Sequence, residues 1–280
     1  MKRTIGCTSR PYAKLDYPEA YARIAAAGYT EVAVFANQGR VPIRADSTPQ
    51  EVADVRRAAA DAGLYPSMVI GGVRLDLGAD AAVEEYRRLI HSVAELGARY
   101  LLDCGTGNRD DLGAYCEVMR RAAPLAAEAC LSITLKPHGG ITLTGSDLAR
   151  VCRRVGHPAF GACYDPGNIV YYTGGELRPE KEAEQVAGSV TTAIIKDCVL
   201  LDGKPDVAVT AGDGVVDFPR VLAALAVGGF NGPYYVECVG GSDPADVDRD
   251  LAFTRGYVRG ILEAQAAGRG AAQTAGGRAA

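Results

Sequence analysis

Three observations predict an α/β fold built as a single (β/α)8 barrel. Eight short runs rich in β-formers recur along the 280 residues. Each is followed by a loop and a longer segment with helical periodicity, the pattern of βα units on a parallel sheet. Glycines close several of those helical segments just before the next run, where a left-handed helix exit is needed. Eight parallel strands is the number that closes such a barrel, and a chain with 48% apolar residues can bury a core of that size.

The first strand is expected over Thr4-Ile5-Gly6-Cys7 and the second over Glu31 to Ala36, entered after Gly28. A helix opens at Thr48-Pro49-Gln50-Glu51, where Thr48 offers an N-cap, Pro49 suits the first helical position and Glu51 completes a capping box. That helix stops at Gly63, and the third strand follows over Pro66 to Ile70. Gly97 precedes the fourth, Tyr100 to Asp103, and the fifth and sixth run over Ser132 to Lys136 and Gly161 to Asp165. The seventh covers Thr192 to Lys196, and the eighth, Tyr234 to Glu237, is entered after Gly229. The barrel domain is assigned to residues 1–263. From 264 to 280 the chain has no large apolar residue and is expected to be a disordered tail.

The formal charge of −4 comes from 30 basic and 34 acidic residues with no basic block, which argues against nucleic acid as a partner. No apolar run approaches the ~20 residues that cross a bilayer, and Met1-Lys2-Arg3 leads straight into a strand, so no membrane contact and a cytoplasmic location are expected. None of the eight cysteines forms a C-x-x-C pair, and they are read as reduced thiols.

Residues at the C-terminal ends of barrel strands converge on one mouth. Here they are Thr8-Ser9-Arg10, Asn37-Gln38, Arg74, Asp103 and Thr106, Lys136 and His138, Asp165 and Asn168, Lys196 and Asp197, and Glu237. Acids, cations and one imidazole in one space suit proton transfer. Plainer roles stay open: Lys136 and Lys196 as barrel-mouth salt bridges, Asp197 as a loop anchor, His138 as a hydrogen-bonded loop histidine. Gly105-Thr106-Gly107 reads as a tight turn, because it lacks a dinucleotide fingerprint or a P-loop lysine.

Four motifs carry a family resemblance. They are Gly161-Ala162-Cys163-Tyr164-Asp165-Pro166-Gly167-Asn168, Ile195-Lys196-Asp197, Ala211-Gly212-Asp213-Gly214-Val215-Val216-Asp217-Phe218, and Gly232-Pro233-Tyr234-Tyr235-Val236-Glu237. In order and spacing over about residues 3 to 262, the chain resembles the xylose-isomerase-like TIM-barrel superfamily. That superfamily contains sugar-phosphate isomerases and epimerases, inosose dehydratases and endonuclease IV type repair enzymes. The resemblance implies one divalent cation held by a glutamate on the fifth strand, an aspartate on the sixth, a histidine on the seventh and a glutamate on the eighth. Asp165 and Glu237 match. Lys136 stands at the glutamate position and Ile194 at the histidine position, and neither side chain can ligate such a metal.

The expected enzyme is therefore isomerase- or epimerase-like and acts on a small polyhydroxylated carbonyl compound without a cofactor. The Lys136 ammonium takes the metal's place between Asp165 and Glu237. Glu237 or Asp165 serves as base, His138 as proton donor, and Lys136 with Lys196 stabilises the oxyanion. Asn168, Tyr164, Asp197 and Arg10 are expected to bind substrate. A Schiff base on Lys136 is a further option, opposed by the two acids that favour its charged form. Three alternatives stand beside this reading. One is a lyase, dehydratase or cyclase on the same barrel. Another is a rebuilt site in which His138 joins Asp165 and Glu237 around Mn, Mg, Co or Zn. The third is a non-catalytic sugar-binding barrel. A homo-oligomer is left open.

Overall fold

A computed structural model describes residues 3–276, the side chains of 269–276 excepted. Eight strands close a barrel: β1 (Ile5–Thr8), β2 (Glu31–Val34), β3 (Tyr65–Ile70), β4 (Tyr100–Asp103), β5 (Ser132–Leu135), β6 (Phe160–Tyr164), β7 (Val190–Ile195) and, after an inserted hairpin, β10 (Tyr234–Val236). All neighbours pair in parallel, in the order β1-β10-β7-β6-β5-β4-β3-β2. The eight expected runs are the eight barrel strands, with ends shifted by no more than a few residues.

Helices α1 (Tyr17–Ala26), α2 (Pro49–Asp61), α3 (Ala79–Leu96), α4 (Leu112–Glu128) and α5 (Gly145–Val155) follow the first five strands. Two short helices, α6 (Pro166–Thr173) and α7 (Pro179–Val186), fill the sixth connection; α8 (Phe218–Val227) and α9 (Pro244–Gly276) complete the ring. Thr48 and Glu51 form the capping box that opens α2. Gly28, Gly63, Gly97 and Gly229 all have φ between +73° and +90°, the left-handed turn from helix into strand. The tail expected over 264–280 starts within α9, which stays helical to Gly276, while 277–280 lie outside the described residues.

Strand alternation divides the core. Ala33, Phe35, Met68, Leu102, Cys163, Ile194 and Tyr235 pack inside the barrel. Val32, Val34, Val69, Leu101, Leu135, Tyr164, Ile195 and Val236 belong to the larger core shared with the helices. An antiparallel hairpin of β8 (Val199–Leu201) and β9 (Lys204–Asp206) stands outside the barrel. No described helix is long and apolar enough to cross a membrane.

Candidate functional site

Alternation decides which strand-end residues enter the mouth. Ile194 and Tyr235 face inward, so Lys196 and Glu237, two positions on, do so as well. Cys163 places Asp165 on the same side. Leu135 faces the helices, which turns Lys136 inward.

These four side chains form a closed ionic quartet, each no more than 3% exposed. Lys136 Nζ lies 3.0 Å from Asp165 Oδ2 and contacts Glu237 Oε2. Lys196 Nζ lies 3.3 Å from Asp165 Oδ2, contacts Glu237 Oε1 and donates to Asn168 Oδ1 at 3.1 Å. Charges in so dry a place persist only when paired, and two ammonium groups here balance two carboxylates. Burial alone would lower the Lys136 pKa, but Glu237 and Asp165 reverse that and hold it well above the ordinary amine value. Burial likewise pushes Glu237 up, and Lys136, Lys196 and Arg10 more than offset it, holding the carboxyl below the usual range.

The local sequence supports this packing. Asp165 caps α6, its Oδ1 accepting from Asn168 N at 3.0 Å with Pro166 at the start of the helix. Asn168 Nδ2 donates to the Pro137 carbonyl at 2.7 Å, tying α6 to the loop that carries Lys136. A Cβ on Gly167 would come within 2.6 Å of Lys196 Cγ, so only glycine lets the helix sit against that lysine.

Above the quartet lie more accessible groups. Arg10, half exposed, reaches Glu237 Oε1 at 3.4 Å. His138 is exposed, and its Nε2 is 3.0 Å from Tyr172 OH. Partial desolvation of the ring, then the two ammonium groups, push the His138 pKa below its ordinary value, so the ring is neutral at pH 7. Cys104, absent from the expected site residues, has its thiol raised to about 12 by burial and feels the charges of Lys136, Asp103, Glu237 and Lys196. Its signal was alternation: Asp103 faces outward, which turns its neighbour toward the mouth.

Two expected substrate-binding residues face elsewhere. Tyr164 lies between inward Cys163 and Asp165, so it points to the helices, where its hydroxyl donates to the Pro179 carbonyl. Asp197 accepts from the backbone amides of Cys198, Gly212, Gly214 and Val216 at 2.8–3.0 Å, the geometry of the loop anchor. A Cβ on Gly214 would collide with that carboxylate, which explains the glycine in its motif. Asp103 also faces outward and accepts from Tyr115, Tyr86 and Gly105 N.

Among the described residues no three His, Cys, Asp or Glu side chains converge to hold a metal ion. His138 is therefore not grouped with Asp165 and Glu237. A cavity of about 560 Å3 opens at the opposite end of the barrel, near Arg3, Thr30 and Arg255. It lies away from the strand C-termini that carry the quartet.

The fold matches known structures. D-psicose 3-epimerase from Clostridium cellulolyticum H10, solved with D-tagatose, superposes with a TM-score of 0.74 at 14% identity, covering 92% of this chain and 99% of its own. A xylose isomerase-like TIM barrel protein from Mycobacterium smegmatis in complex with magnesium gives 0.74 at 16% identity, over 93% of this chain and 96% of its own. L-ribulose 3-epimerase gives 0.71 at 17% identity, covering 98% of each chain. No curated protein matches. The family model described as xylose isomerase-like TIM barrel matches residues 21–257, and the chain belongs to that family.

Proposed function

We propose that the protein is a sugar isomerase- or epimerase-like enzyme that moves a proton next to a carbonyl, with the ammonium of Lys136 standing where relatives place a divalent metal. The observation that carries this reading is Lys136 Nζ set between Asp165 and Glu237. The fold it shares with psicose and ribulose epimerases supports the substrate class.

The donor set does not fit the family's metal. Both carboxylates are engaged by two ammonium groups, and Ile194 lies in the barrel interior at the position where the resemblance implies a histidine. A dication placed there would meet two like charges and lack a third ligand.

The roles divide by basicity. Glu237, held ionised by three cations, is a poor proton acceptor and serves to fix the lysines. His138 is neutral near pH 7 and open to the mouth, so it is the base. As it removes the proton beside the carbonyl, the substrate oxygen becomes an oxyanion, which Lys136 and Lys196 stabilise. Return of the proton from His138 to the neighbouring carbon, with the hydroxyl proton passing to the oxyanion, gives an isomer, and protonation of the same carbon on its opposite face by a solvent water gives an epimer. A Schiff base on Lys136 is disfavoured, because the paired amine stays protonated.

The test is incubation in D2O with D-psicose, D-tagatose, D-fructose, L-ribulose, D-fructose 6-phosphate and 2-keto-D-gluconate, followed by NMR before and after chelation. Deuterium entering beside the carbonyl, undiminished by chelation, is expected. Exchange that chelation abolishes, or none with any ketose, contradicts the reading. Lyase chemistry would appear in the same spectra as loss of a C–O bond.

A further inference from the structure

The first strand brings to the mouth two donors that this chemistry leaves unused. A Cβ on Gly6 would meet the Tyr235 ring at 2.8 Å, inside the barrel, so Gly6 and, two residues on, Thr8 face inward. The pairing Cys7↔Val236 then places Thr8 beside Glu237. Thr8 is fully buried, and its Oγ1 has no hydrogen-bond partner. An unpaired buried hydroxyl is costly, and an incoming oxygen that accepts its proton removes that cost.

Arg10 adds a charge. Among the described residues its only ion pair is with Glu237 Oε1, an oxygen that Lys196 already contacts. Three cations thus touch two carboxylates, leaving the cluster with one net positive charge. Asp103 and Asp197, acids at other strand ends, are turned away and hydrogen-bonded elsewhere. A half-exposed guanidinium with free N–H groups is suited to a carboxylate or phosphate, whose paired oxygens match its fork.

We infer that the substrate carries an anionic oxygen group, a carboxylate or a phosphate ester, which Arg10 binds with Thr8 Oγ1 as a second donor. This rests on the mouth being the substrate site, as proposed above. A neutral ketose would leave the excess charge uncompensated.

Calorimetric titration of the full chain with D-fructose, D-fructose 6-phosphate and 2-keto-D-gluconate tests it, the last two distinguishing phosphate from carboxylate. At least one anionic ketose is expected to bind about tenfold or more tightly than fructose, equivalent to about 1.4 kcal/mol. Arg10→Gln should bring the three within about twofold, Arg10→Lys should restore part of the preference, and Thr8→Val should weaken the anionic ligand about threefold or more. Circular dichroism checks that each variant is folded. Equal binding of all three, no binding of any, or a preference that survives Arg10→Gln overturns the inference. Binding is read without turnover, so the two proposals fail separately. An anionic ketose held through Arg10 but showing no exchange in D2O leaves this inference standing and removes the epimerase reading.

Discussion

Replacing Lys136 by methionine keeps most of the side chain's length and removes one charge from the quartet. At 3.0 Å from Asp165, an effective dielectric of about 20 gives ~5–6 kcal/mol of attraction from that contact alone. Part of it offsets the desolvation of the amine, so the net loss expected on breaking this buried pair is about 3–5 kcal/mol. For a chain of this size the corresponding fall in Tm is roughly 5–9 °C. The chain has no tryptophan, so urea unfolding is best followed by far-UV circular dichroism.

The pH dependence of that loss has a definite sign. Glu237 titrates below its usual range in the folded protein, so its stabilisation is present above the unfolded carboxylate pKa of ~4.3 and fades as pH falls. Lys136 titrates above the ordinary amine value, so its share holds below pH ~10.4 and is lost as pH rises beyond it. The gap between wild type and Lys136→Met is therefore widest from about pH 5 to 10 and narrows in acid, where the carboxylate left short of a partner takes up a proton. Lys136→Met combined with Glu237→Gln should lose less than the sum of the single changes by about 1–3 kcal/mol. A variant within ~0.5 kcal/mol of wild type at pH 7, or strict additivity, would refute the coupled quartet.

Other outcomes follow from the same geometry. His138→Gln should lower the exchange rate by about 10²–10⁴-fold, and the wild-type rate should fall on acidification with a midpoint below the ordinary imidazole value; an unchanged rate removes His138 as base. Asp197→Ala strips the acceptor from four backbone amides and should cost about 3 kcal/mol or more, with faster proteolysis between residues 198 and 216; an unchanged cleavage pattern refutes the anchor. Tyr164→Phe removes only the hydrogen bond to Pro179 and should lower stability by about 1 kcal/mol while leaving KM unchanged; a raised KM would return Tyr164 to the substrate site.

The barrel was legible because β-former runs, glycine exits and the Thr48 capping box all point to the same repeat. Lys136, Lys196, Asp165 and Glu237 meet because strand ends share one mouth, a property of the fold rather than of any single residue. Tyr164 was expected to line the substrate pocket, but as the last residue of β6 it adjoins inward Asp165 and alternation turns it the other way. The β8–β9 hairpin was missed although Asp202-Gly203, both at positive φ, is a strong two-residue turn signal; its strands are short and carry little pattern. The division of basicity between Glu237 and His138 was not legible, since it depends on distances between residues on different strands.

The most direct measurement is metal content: elemental analysis for Mn, Fe, Co, Ni, Zn and Mg of the untagged protein, loaded with each ion, dialysed, and compared with a chelated sample. With two ammonium groups holding Asp165 and Glu237, well under about 0.1 metal per chain should remain. About one ion retained per chain, released by chelation, would mean that the carboxylates ligate a metal and that Lys136 does not stand in its place.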